Sequence, residues 1–97
     1  MLKKTNMTKL LVQITADDIR RGAPVSSSGC PLALRLQALT GKDWRVGCSH
    51  AWLPDEKGTP KPRGIIKLPP AAIRFVADVD TNRSVNPVWF ELEMPNV

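Results

Sequence analysis

The sequence predicts an α+β domain: a four-stranded, mainly antiparallel sheet with helices packed on one face. Three observations carry the prediction. Segments 9–14, 44–52 and 88–94 alternate apolar and polar residues with a period of two, as half-buried strands do. Segments 32–39 and 72–79 instead repeat apolar residues at helical spacing. In chain order these elements read β-α(α)-β-β-α-β, the order of the ferredoxin-like split βαβ arrangement, βαββαβ. Other strand orders in a four-stranded α+β sheet give the same string.

The elements follow one another with local punctuation. Residues 1–7 read as a flexible basic tail, and 8–97 as one domain. In 9–14, Leu10, Val12 and Ile14 share one face and Lys9, Leu11 and Gln13 the other. Thr15 with Asp18 outlines a capping box, and Asp17 and Asp18 suit the positive end of a short helix. Gly22 is expected to stop that helix in a left-handed conformation. A Ser/Gly-rich loop leads to Pro31, which suits the first turn of a second helix carrying Leu32, Ala33, Leu36 and Leu39 on one stripe. Gly41 ends it.

The run from Trp44 to Trp52 is expected to be a single strand. Its even face would hold Trp44, Val46, Cys48, His50 and Trp52, and its odd face Arg45, Gly47, Ser49 and Ala51. Segment 54–64 is dense in Pro, Gly and charge, so it is expected to be a long loop between strands, a mobile hairpin arm rather than a tight turn. Residues 65–68 form a short strand, and Pro70 starts a helix with Ala72, Phe75, Val76 and Val79 inward. The last strand turns Val88, Phe90, Leu92 and Met94 inward and Trp89, Glu91 and Glu93 outward.

Composition bounds the function. The 97 residues carry a net charge of +5, which favours acidic partners, whether nucleic acid, a nucleoprotein or an acidic protein surface. No apolar run approaches a bilayer span, and the segment after the basic start is too short for a signal peptide, so the expectation is a cytoplasmic protein with no membrane partner. Two cysteines in such a chain are expected as reduced thiols. Gly-rich phosphate loops and the common hydrolase and metalloprotease motifs are absent from the sequence.

Two constellations could carry chemistry. Cys30 lies at a helix N-terminus, where partial positive charge lowers a thiol pKa, and His50 could serve as its base. The alternative for Cys30 is a small apolar anchor at the helix start. Cys48 and His50, with Cys30, supply three zinc-type ligands, but no Cys-x-x-Cys knuckle accompanies them. Catalytic, cofactor and metal residues are therefore not assigned, and no cofactor is expected. The candidate partner-binding residues are Arg45, Ser49, Trp52, Lys57, Lys61, Arg63, Lys67 and Trp89. They combine exposed cations with tryptophans, the residue types that dominate binding hot spots. An RNA-recognition sheet would carry several clustered aromatics, and that motif is absent from the sequence.

The pattern Ile14-Thr15-x-x-x-Ile19-x-x-Gly22, Cys30-Pro31-Leu32-Ala33-Leu34 and Arg45-Val46-Gly47 resembles a group of small phage and mobile-element proteins of no known activity. Leu68-Pro69 with Ala72-x-x-Phe75-Val76, and Val88-x-Phe90-x-Leu92, fit the same pattern more loosely. The resemblance implies a single-domain accessory protein that binds and inhibits a host protein or nucleoprotein complex, as anti-CRISPR and other anti-defence proteins do. A small basic nucleic-acid-binding or regulatory module is the alternative, and a cysteine-dependent enzyme the third reading.

Overall fold

A computed structural model describes residues 7–95 of the chain, with the side chains of Met7, Thr8, Pro62, Arg63 and Pro95 outside the description. The expected tail, 1–7, thus lies outside the described residues except for Met7, which opens β1. The chain folds as α+β, with β1 (Met7–Ile14), α1 (Ala16–Arg21), α2 (Pro31–Thr40), β2 (Arg45–Val46), β3 (His50–Pro54), β4 (Pro60–Lys67), α3 (Pro70–Asp80) and β5 (Val88–Pro95) in order.

Strand pairing is antiparallel throughout. β1 pairs with β5 in an unbroken register from Met7↔Pro95 to Ile14↔Val88. β2, β3 and β4 form a second, three-stranded ladder. The two ladders meet where β4 passes beside β5, with no ladder between them among the described residues. There are thus five strands in two ladders, one more than the four-strand string, because 44–52 is folded in two. The first-to-last strand pairing of the ferredoxin-like order is present, without a continuous sheet.

That fold in 44–52 inverts the expected face. Gly47 N–H donates to the His50 carbonyl (2.7 Å), closing a turn. Val46 then pairs with Ala51, and Arg45 with Trp52. Cross-strand partners share a face, so this register sets even residues of β2 beside odd residues of β3. Trp44 and Val46 are buried, and so are Ala51 and Leu53, whereas Cys48 and His50 are exposed and Trp52 is half-buried. A single strand would have kept one parity inward throughout.

The expected long loop 54–64 is instead a β-ribbon with a tight tip. Gly58 N–H donates to the Asp55 carbonyl (3.0 Å), Gly58 has φ +87°, and Asp55 N–H donates to the Thr59 carbonyl (2.6 Å). This is a type I turn with a left-handed glycine, a common three-residue hairpin connection. The Asp55 carboxylate accepts from the Thr59 hydroxyl and from the Lys57 and Thr59 amides. Those donors, the Thr59 hydroxyl foremost, hold its pKa below the usual carboxylate range. Pro60 and Pro62 fit within β4 because, among the described residues, β4 pairs with β3 alone, so one of its edges needs no N–H donors.

The helices follow their punctuation with two exceptions. Thr15 and Asp18 close the capping box, with Asp18 N–H donating to Thr15 Oγ1 (3.1 Å) and Thr15 N–H to Asp18 Oδ2 (2.8 Å). Gly41 ends α2 at φ +71°. Gly22, however, ends α1 at φ −77°, in extended backbone. It is suited to glycine by crowding: a Cβ there would lie 2.5 Å from the Pro31 ring. Leu39, in the last turn of α2, is exposed and leaves the predicted stripe short. One core receives every other stripe, joining Val12 and Ile14, Leu32 and Leu36, Trp44, Leu68, Phe75 and Val76, and Phe90 and Leu92.

Candidate interaction face

The ladder β2–β3–β4 turns its inward residues, Val46, Ala51, Leu53 and Ile66, into the core. Its register therefore fixes what lies on the outer face. Arg45 pairs with Trp52, and Trp52 with Ile65, giving one cross-strand row. His50 pairs with Lys67 in the next row. Ile65 is an exposed large apolar residue, and Lys67 and His50 are exposed. Cations thus flank an aromatic-aliphatic centre.

Local contacts hold this face in place. The Trp52 ring packs over Gly47, where an added Cβ would come within 3.1 Å of Trp52 Cζ3. Trp52 Nε1 is buried without a hydrogen-bond partner among the described residues. Arg45 pairs with Asp43 (Nη2 to Oδ2, 3.1 Å), which orients its guanidinium. Ser49 Oγ and His50 Nδ1 are 2.8 Å apart, within hydrogen-bond range.

The eight candidate partner-binding residues are divided by the fold. Arg45, Trp52 and Lys67 come together, with Ser49 alongside through His50. Lys57 is exposed at the ribbon tip and Lys61 near it. Arg63 belongs to β4, and its side chain lies outside the description. Trp89 is exposed but belongs to the other ladder, where its neighbours on the outer side are Gln13, Leu11 and Glu91. Sequence reasoning missed Ile65 and set His50 on the same face as Trp44 and Val46, whereas it lies on the outer face beside Lys67. The turn at 47–49 held the signal for both, since a reversal there exchanges the faces of all that follows.

The cysteine chemistry takes a different form from the expected one. Cys30 is the N-cap of α2, but its Sγ accepts from Ala33 N–H (3.4 Å), and the thiol is buried. Burial pushes its pKa up, and the Asp80 charge acts in the same direction, against the helical amides that would lower it. Desolvation therefore outweighs the helix end, and Cys30 stays a protonated thiol at neutral pH. The helix-start anchor is the role its packing supports. Cys48 is exposed in the turn after β2. Both cysteines line one cavity of about 320 Å³ with Asp80 and Val76, which His50 does not line. No group of three His, Cys, Asp or Glu side chains arranged to hold a metal occurs among the described residues. A thiol-reactive disulfide reagent should therefore label Cys48 rapidly in native buffer and Cys30 only after urea unfolding. Two fast thiols, or a fast thiol surviving in Cys48→Ser, would contradict this assignment.

No described helix is long and apolar enough to cross a membrane. No protein family, curated protein or solved structure matches the chain.

Proposed function

We propose that this chain is a small non-catalytic interaction protein that binds an acidic surface on a host protein or nucleoprotein complex. The observation that carries this reading is the row Arg45–Trp52–Ile65 beside His50–Lys67 on the outer face of β2–β3–β4. Binding interfaces commonly combine an aromatic and aliphatic centre with a polar rim, and tryptophan and arginine contribute disproportionately to affinity. Lys57 and Lys61 extend the positive character along the ribbon. Electrostatic steering toward an acidic partner follows from that arrangement and from the net charge of +5. The resemblance to phage-type accessory proteins directs the reading to a host defence complex, inhibited in the host cytoplasm.

The test is affinity capture from host lysate with the intact chain. Ile65→Asp and the double change Arg45→Glu/Lys67→Glu alter exposed or half-exposed side chains, so folding should persist. Each should weaken retention of a specific partner at least about tenfold, a loss of about 1.4 kcal/mol. Trp89→Ala should leave retention unchanged. Equal retention by all variants would remove this face from the function.

The row of cations also favours a second reading, direct binding of nucleic acid phosphates. If Arg45, Lys57, Lys61 and Lys67 each neutralise one phosphate, log affinity should fall against log salt with a slope of about −3 to −4. A mobility shift at low salt with that slope, and no protein partner in the lysate, would select this reading over the first.

A further inference from the structure

We infer that the outer edge of β1 is a self-association site, at which a second copy of this chain adds its own β1 antiparallel to the first. The starting observation is an account of main-chain hydrogen bonds. β1 pairs with β5 on one side, and among the described residues no other main-chain or side-chain hydrogen bond reaches residues 7–14. In an antiparallel strand every second residue turns its N–H and C=O to the free side. An eight-residue strand therefore presents a row of unpaired donors and acceptors.

The other edges are protected. β2 is two residues long, and Val46 N–H donates to the Ser27 carbonyl (2.8 Å), so the 23–30 loop covers it. The free side of β4 is interrupted by Pro60 and Pro62, and β5 has β4 beside it. Of the usual guards β1 carries a single lysine, and α2 packs against the strand. It contains no proline, its register with β5 has no bulge, and its only charged residue is Lys9.

The chemistry of the strand suits a second copy. A twofold axis at Leu11 pairs residues 8 to 14 of one copy with 14 to 8 of the other. Leu11 then faces Leu11 on the outer side, and Leu10 faces Val12 on the core side. Lys9 faces Gln13, so no like charges are opposed across the junction. The interface is isologous and closes as a dimer. Charge permits this arrangement. The chain is basic overall, yet the outer side of the β1–β5 ladder sets Glu91 and Glu93 against Lys9 alone. Two copies can meet here without opposing the cations of the β2–β3–β4 face. Exposed Leu11 and Trp89 of both copies would then lie on one joined outer surface.

Sedimentation equilibrium of the full chain over a range of concentrations tests the inference. The expected result is a monomer–dimer equilibrium. Gln13→Lys places a cation opposite Lys9 at two symmetric positions and should weaken the dimer about tenfold. Gln13→Glu places a carboxylate there and should tighten it. Leu11→Lys sets like charges against each other at the twofold axis and should abolish dimerisation. Leu11 and Gln13 are both exposed, so circular dichroism of each variant should match the parent. A chain that is monomeric at every concentration measured, or a dimer indifferent to all three substitutions, would overturn the proposal.

Discussion

Trp44→Ala is expected to lower stability by about 3–5 kcal/mol, the cost of removing a large aromatic side chain from a packed core. Trp44 is 2% exposed and is the largest of the fully buried side chains. It also joins two elements: Gln37 Nε2, from α2, donates to its carbonyl (3.0 Å), and its own N–H donates to the Lys42 carbonyl (2.9 Å). A cavity there would loosen the seam between α2 and β2. A 97-residue domain has about 5–15 kcal/mol of total stability, so the variant would lose a large share of it. The melting temperature should fall by about 15 °C or more. Trp89, 64% exposed, provides the contrast. Trp89→Ala should change stability by no more than about 0.5 kcal/mol. Urea unfolding followed by circular dichroism checks both. A Trp44→Ala midpoint close to that of the parent would place Trp44 outside the core.

Asp18→Ala should be the most damaging polar substitution, at about 2–4 kcal/mol. Asp18 is the sole buried charged residue among those described. Its carboxylate accepts from Arg35 Nε (2.9 Å) and Nη2 (3.0 Å), a bidentate pair linking α1 to α2. It also accepts from Thr15 N–H in the capping box. The alanine variant removes half of the box and leaves the Arg35 guanidinium without that partner. The same pair sets a pH dependence. Burial alone would raise the Asp18 pKa, but the Arg35 and Thr15 donors together more than offset it and bring it below the ordinary value. A carboxylate depressed in the folded state stabilises fully above its unfolded pKa of about 3.9. That stabilisation is lost as pH falls through the lower, folded value. Asp18→Asn should therefore be less stable than the parent at neutral pH, and the gap should close in acid below about pH 4. A gap of constant size down to full protonation would show that the charge of Asp18 contributes nothing.

The legible parts of this fold are those written locally. The alternations of β1 and β5 survive intact because each strand runs straight, with Val12 and Ile14 facing the core as Phe90 and Leu92 do. The Thr15–Asp18 box and Pro31 and Pro70 at helix starts act within one turn of chain, so residue identity suffices to read them. The candidate face was half legible. The sequence names Arg45, Trp52 and Lys67 as binding residues but sets Arg45 and Trp52 on opposite faces of one strand, and it includes Trp89 and omits Ile65. Those errors share a cause, since each depends on which strand lies beside which.

The α+β class, the stripes of β1 and β5, the inward stripe of α3, the Thr15–Asp18 capping box and the outward side of Trp89 are legible from the sequence, because each depends on side-chain periodicity or on contacts a few residues apart. The reversal at 47–49, the ribbon at 54–64, the division into two ladders and the edge of β1 that is unpaired among the described residues follow only from the tertiary structure. The physical reason is that strand pairing is a non-local choice. A period-two pattern says that a strand has an inside and an outside, but it does not mark where the chain turns back. One turn at Gly47 exchanged the two faces, took Cys48 and His50 out of the core, and put Trp52 beside Arg45 and Ile65.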